Sequence, residues 1–304
     1  MRIRLALGLC LLFAASAALA ASGGGEEKPA APNAQAPSPS TSSALQEGIH
    51  AYQNGHYATA LSILKPLVKK GVPGAETQLG IMYDYGRGVS QDSSKAAYWY
   101  QKAAVRGEAQ AQGLLASEYE IGDGVPQNGK KAVYWYKKAA SNGRVNALGS
   151  LALMYETGDA VPKNYSKAAY WYRKAAEQGD SMAQNKVGTM YGKGQGVARD
   201  YKKAAYWFHK AADQGSMMAQ YNLGASYFNG LGVSQDYFQA MHWYLMSAKQ
   251  GDSDAQNNLG LMYENGQGVP RDYSKAVQWF RKAAEQRNVY AETALGTSHA
   301  LGRG

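Results

Sequence analysis

An all-α solenoid of antiparallel helical hairpins is the fold this sequence predicts, on three observations that share one 36-residue step. Trp99, Trp135, Trp171, Trp207, Trp243 and Trp279 keep that interval without slippage. So do the small residues Ala75, Ala111, Ala147, Ala183, Ala219, Ala255 and Ala291. A glycine turn ending in valine returns in the same register at Val89, Val125, Val161, Val197, Val233 and Val269. A fixed period of this length marks one supersecondary unit stacked on its own copies.

Ahead of the array, Met1 to Ala20 reads as a secretory signal peptide. Arg2 and Arg4 give a positive start, Leu5 to Leu19 is an apolar run too short to span a bilayer, and Ala18-Leu19-Ala20 supplies the small residues of a cleavage site. Cleavage after Ala20 removes Cys10, the single cysteine, and leaves no thiol. The mature protein is therefore expected in the periplasm or outside the cell, held together by buried apolar surface rather than disulfides. Of nine net positive charges, two leave with Arg2 and Arg4, giving +7. An exported basic chain meets proteins and anionic envelope polymers rather than nucleic acid, so a protein or peptide partner is expected, with weak contact to such polymers. No further segment is apolar enough to cross a membrane.

Residues 21–44, with Gly23 to Gly25, Pro29, Pro32, Pro37, Pro39 and a Ser/Thr run, are expected to be a disordered linker. Residues 45–74 keep Tyr52, Gly55, Tyr57 and Ala60 in repeat-like places but lack the Gly-Val turn, the pattern of a degenerate capping hairpin. Six repeats fill 75–290, and 291–304 is half a repeat.

Within one unit, Ala75, Leu79, Gly80 and Tyr83 fall at helical spacing, as do Ala96, Trp99, Tyr100, Ala103 and Ala104. Gly86-Arg87-Gly88-Val89 is the turn between these two helices. Asp92, Asn128, Asn164, Asp200, Asp236 and Asp272 stand where each second helix begins, and an amide-accepting cap there contributes about 1 kcal/mol. Gly71, Gly107, Gly143, Gly179, Gly215 and Gly251 are placed to close the second helices, a column that Arg287 interrupts. The Trp, aromatic and Tyr columns are expected to form the core. The small column Gly80, Ala116, Ala152, Gly188, Gly224, Gly260 and Gly296 is expected where two helix backbones approach closely.

The sixth unit carries the pattern almost throughout, in Ala255, Leu259, Gly260, Met262, Tyr263, Gly266, Gly268, Val269, Asp272, Tyr273, Lys275, Ala276, Trp279, Phe280, Lys282, Ala283 and Ala284. This resembles the Sel-one-like repeat, a relative of the tetratricopeptide repeat, over residues 75–304. The resemblance implies a right-handed superhelix and an adaptor that binds proteins or peptides, with exported members in envelope assembly or host interaction. One branch of the family, whose hairpins are tied by disulfides, is linked to β-lactam hydrolysis, and this chain lacks those cysteines.

If Ala75, Leu79 and Tyr83 face inward, Gln78, Met82 and Tyr85 lie opposite, on the face that in this family lines the concave groove. The equivalents differ from unit to unit: Leu114, Glu118 and Ile121; Ser150, Met154 and Thr157; Lys186, Met190 and Lys193; Asn222, Ser226 and Asn229; Asn258, Met262 and Asn265. A groove for an extended segment, with methionines giving adaptable apolar contact and asparagines hydrogen bonds, is expected there; a drifting solvated face is the alternative. On the second helices, Lys95, Lys131, Lys167, Lys203 and Lys275 are followed seven residues later by Lys102, Lys138, Lys174, Lys210 and Lys282, read mainly as a solvated convex back. One unit breaks this stripe with Phe238, His242, Leu245 and Met246, a partner or dimer patch or a local repacking.

Motifs for chemistry are weak. Gly124 to Lys131 approaches a phosphate-binding loop but has Lys131 where the metal-binding hydroxyl belongs, and no strand precedes it. Ser62 and Lys65 match Ser-x-x-Lys without a Lys-Thr-Gly. His50, His56, His209, His242 and His299 form no ligand pair. No catalytic residue, cofactor or metal is expected; a cell-envelope hydrolase, β-lactamase-like or peptidoglycan-directed, is the competing class.

Overall fold

The structure is a computed structural model that describes residues 39–303; the expected signal peptide and the linker up to residue 38 lie outside the described residues. Fifteen α-helices and no strands occupy the described residues. Helices α1 (Pro39–Gln53) and α2 (Tyr57–Lys69) make the opening hairpin. Six hairpins follow: α3 (Pro73–Tyr85) with α4 (Ser93–Val105), α5 (Ala109–Ile121) with α6 (Gly129–Ser141), α7 (Asn146–Thr157) with α8 (Tyr165–Glu177), α9 (Ser181–Lys193) with α10 (Tyr201–Asp213), α11 (Met217–Asn229) with α12 (Tyr237–Lys249), and α13 (Ser253–Asn265) with α14 (Tyr273–Glu285). A single helix, α15 (Val289–Ala300), ends the series. Helix α1 begins inside the segment expected to be linker, because Ala44 and Leu45 pack on the Ala51, Leu64 and Ala75 cluster and so have apolar surface to bury.

Each first helix packs on its own second helix, and each second helix on the next first helix; the main contacts run only between neighbours, as in a solenoid. Local signals place the helix ends. Asp92, Asn128, Asn164, Asp200 and Asp272 accept from the amides of Lys95, Lys131, Lys167, Lys203 and Lys275 at 2.9–3.0 Å. The first helices have caps of their own, which sequence reading passed over: Glu108, Asp180, Asp252 and Asn288 accept from the amides of Ala111, Ala183, Ala255 and Ala291. Arg287 takes the left-handed conformation of the glycines in its column, at φ 63°.

The deepest aromatic column lies one residue past the tryptophans. Tyr100 and Phe280 are fully buried, and Tyr136, Tyr172, Phe208 and Tyr244 nearly so, whereas every tryptophan except Trp207 is half-buried. This adds a second reason for the small column. A Cβ on Gly80, Gly188 or Gly260 would stand 2.4–2.6 Å from the ring of Tyr100, Phe208 or Phe280, and at Gly80 and Gly188 also 3.1–3.3 Å from the Ala96 or Ala204 carbonyl of the facing helix, so the glycine makes room for an aromatic ring as well as for a helix backbone.

A glutamine seam ties successive hairpins. Buried Gln112, Gln184, Gln220 and Gln256 donate Nε2 to the Ala104, Ala176, Ala212 and Ala248 carbonyls of the preceding second helix at 3.0–3.3 Å. Their Oε1 atoms accept from Asn142, Gln214, Gln250 and Gln286 at 2.7–2.9 Å. Three helices are thereby joined by one side chain whose amide is satisfied in a buried site. In the first repeat Glu76 fills this place and meets Arg106 at 2.9 Å.

Candidate functional site

The expected first-helix face is exposed at its C-terminal end, half-buried or buried at its N-terminal end, and buried at its centre. Met82, Met154 and Met262 are fully buried, and Glu118, Met190 and Ser226 nearly so. Ala75 and Met82 are seven residues apart, just short of two helical turns, so both point into the core. The surface residue is one position earlier: Ile81, Ser117, Leu153, Thr189, Ala225 and Leu261 stand half-buried or exposed, in line with the outer ends of the helix. Tyr85 is 45% exposed. Ile121, Thr157, Lys193, Asn229 and Asn265 are exposed like it. Gln78 is buried, while Lys186, Asn222 and Asn258 in its column are half-buried.

Four of these side chains, Lys186, Thr189, Lys193 and Asn222, meet at one place. Helices α9, α11 and the start of α13 enclose an open trough of about 660 Å³, lined among others by Lys186, Thr189, Lys193, Met218, Tyr221, Asn222 and Asp254. Lys186 is tied to Glu156 at 3.1 Å, and Asn222 Nδ2 donates to Asn185 Oδ1 at 2.9 Å. Asp254 accepts from Asn288 at 2.8 Å on the opposite wall. Met218, 62% exposed, offers an adaptable apolar contact between a basic wall and an acidic one. Asn258, Met262 and Asn265 lie outside this lining.

On the second-helix face, Phe238 is 69% exposed, with His242 and Met246 exposed at four-residue steps along α12. Leu245 departs from the expected streak: it is half-buried and packs on the Tyr244 and Leu259 cluster, because its position turns it toward α13. His242 leans on Trp243, ring centres 5.0 Å apart.

Acids at the ends of first helices prove to be structural. Tyr136 donates to Glu120 Oε2 at 2.6 Å, and Tyr172 to Glu156 Oε2 at 2.6 Å. Glu156 also has Lys186, but the residue corresponding to Lys186 beside Glu120 is Ser150. Burial pushes the Glu120 carboxyl up to about 7 from an ordinary 4.5; the Tyr136 hydrogen bond opposes this and the Asp159 charge adds to it. Because the folded value lies above the unfolded one, this group's stability is fully present below about pH 4.5 and lost as pH rises through 7. Glu120→Gln is therefore expected to leave stability unchanged near pH 4 and to raise it by on the order of 3 kcal/mol above pH 8, measured by urea unfolding across that range.

The sequence motifs for chemistry do not assemble. Ser62 Oγ donates to the Thr59 carbonyl of its own helix at 2.8 Å, and Lys65 stands exposed. Gly129 is the first residue of α6 and lies against the Ala160 carbonyl of the following turn. Among the described residues, no His, Cys, Asp and Glu group has metal-holding geometry, and no helix is long and apolar enough to cross a membrane.

Comparison with known proteins agrees with this architecture. The Sel1 repeat family model matches residues 73–107, 109–143, 146–180, 181–216, 218–252 and 253–288. The structure is similar to a protective antigen of uropathogenic Escherichia coli strains displaying an SLR fold, with a TM-score of 0.78 and 35% identity over 87% of this chain; the match spans 58% of the antigen chain. It is also similar to a Sel1 repeat protein from Oxalobacter formigenes, with a TM-score of 0.62 and 34% identity over 79% of this chain and 96% of that one. No curated protein matches the chain. Six family matches in one register, on hairpins that pack only on their neighbours, show that this chain belongs to the Sel1 repeat family.

Proposed function

We infer that the chain is a non-catalytic scaffold that holds a segment of a partner protein in the trough across α9, α11 and α13. Sel1 repeat proteins are generally protein-interaction scaffolds, and the finer reading rests on one observation. Lys186, Lys193 and Asn222, from first-helix columns that change from unit to unit, line one open depression with Lys193 on one wall and Asp254 on the other. Opposed charges across an adaptable floor select the direction of an extended chain more than they add affinity. The proposed action lies outside the cytoplasm, a reading that rests on the Met1 to Ala20 pattern and is in keeping with the likeness to a protective antigen.

A photo-crosslinking residue at Lys193 or Asn222, introduced into the full chain in its own cells, is expected to attach to one discrete protein. The same residue at Tyr170, on the second-helix face, is expected not to attach to it. Lys193→Glu combined with Asp254→Lys should abolish the adduct without lowering the melting temperature. Adducts only from Phe238 or His242 would transfer the function to the α12 patch, and turnover of muropeptide by the purified chain would replace the scaffold with a hydrolase.

A further inference from the structure

A second face of the molecule, separate from the trough, has a regularity that the core and the caps leave unexplained. In four consecutive second helices a tyrosine stands in the open immediately before the tryptophan: Tyr98, Tyr134, Tyr170 and Tyr206 are 43–55% exposed. Each ring is fixed edge-on against its neighbouring tryptophan, with centres 4.8–5.1 Å apart and planes at 76–82°. Four residues on, Lys102, Lys138, Lys174 and Lys210 place their ammonium groups 5.3–5.9 Å from the tyrosine ring centres. A cation held this way is pre-positioned beside an aromatic surface. Helices α4, α6, α8 and α10 together carry twelve Lys or Arg against two acids, Glu177 and Asp213.

The geometry points to this Tyr-Lys ladder as a binding surface for an extended anionic polysaccharide, each tyrosine taking the C–H face of a sugar and each lysine an acidic substituent. Side chains of successive second helices touch, since Lys137 Nζ lies 5.3 Å from the Trp171 ring and the His209 ring 5.6 Å from Trp243. The rungs therefore recur at about one helix diameter, roughly 10 Å, a step comparable to a disaccharide along a glycan chain. An exposed ring costs solvation when it is left without a partner, and a solvated lysine stripe needs no aromatic between its members. A bilayer surface is the poorer fit, because these four faces expose tyrosine and lysine but no Leu, Ile or Phe to insert. The ladder ends where the pattern breaks, at His242 and Gln278.

The test measures binding of the full chain to immobilised alginate oligosaccharides, beside dextran (sugar without charge) and polyglutamate (charge without sugar). Alginate is expected to bind in a salt-sensitive way, and both controls about tenfold or more weakly. Tyr134→Ser with Tyr170→Ser should lower alginate affinity about tenfold, and Tyr134→Phe with Tyr170→Phe should retain it. Should the serine pair lower the melting temperature, Lys138→Gln with Lys174→Gln replaces it and must weaken alginate binding and flatten its salt dependence. The proposal is overturned by absence of alginate binding at low salt, by a lysine pair that binds as the parent does, or by equal binding of polyglutamate, single-stranded DNA or anionic vesicles. Loss of the trough's crosslinked partner leaves this outcome unaffected, so the two readings fail separately.

Discussion

Phe280→Ala is expected to cost about 3–5 kcal/mol, the range for emptying a buried aromatic site. The Phe280 ring is fully buried among Ala276, Ala283 and Ala291 and lies against Gly260, so its buried neighbours are small residues with little side chain to fill the space. Because hairpins contact only their neighbours, the loss falls on α13, α14 and α15, and urea unfolding should separate into two transitions, with the C-terminal hairpin melting first. The small column supplies the complementary test. Gly260→Ala puts a methyl 2.4 Å from the ring and should destabilise as an overpacked core does, by about 1–3 kcal/mol. Gly296→Ala, in the same column but with nothing within 4 Å, should be neutral or stabilising by up to about 1 kcal/mol through helix propensity. Equal effects at the two glycines would show that the ring contact is not what keeps this column small.

Gly232→Ala is expected to be as damaging, by about 2–5 kcal/mol in urea unfolding, for two reasons that add. Gly232 has φ 79°, where an alanine is strained, and its missing Cβ would stand 1.9 Å from the Tyr201 carbonyl oxygen of the preceding hairpin. The obstacle is backbone, so no rotamer change relieves it. Gly124, Gly196 and Gly268 meet the carbonyls of Ser93, Tyr165 and Tyr237 in the same way, which makes the second glycine of the turn a stacking residue as much as a turn residue. The one natural exception shows what compensation requires. Ala160 occupies this column with φ 58°, and the residue facing it is Gly129, where neighbouring units carry Ser93, Tyr165, Tyr201 and Tyr237. With alanine in the turn, it is the Ala160 carbonyl that presses on the helix start, 1.8 Å from where a Cβ on Gly129 would stand, and only glycine leaves it room.

The Gly129 and Ala160 pair shows the limit of reading one sequence. Both departures are visible in the register, but their relation appears only when the turn of one hairpin is seen lying on the helix start of the one before. The glutamine seam is similar. Gln112, Gln184, Gln220 and Gln256 form a legible column, and Asn142, Gln214, Gln250 and Gln286 another, yet the 30 residues between partners carry no local signal that they meet. Met82 was misplaced for a simpler reason. A hydrophobic residue that varies to Glu118 and Ser226 looks like a surface position, and only the count of turns from Ala75 puts it inside.

By itself the sequence determined the 36-residue unit, the two helices within it, their second-helix caps at Asp92 and its equivalents, and the glycine turn between them. All of these depend on hydrogen bonds and side-chain directions within a few residues, where spacing translates directly into geometry. Only the tertiary structure decided which columns face solvent, which aromatic is core and which is ladder, and that Lys186, Lys193 and Asn222 line one trough. A helix presents a new direction every 100°, so a one-residue difference separates Met82 in the core from Ile81 outside it, and Tyr100 beneath the hairpin from Trp99 at its margin. The angle at which the neighbouring helix arrives selects between them, and that angle is set by packing between units rather than by the order of residues within one.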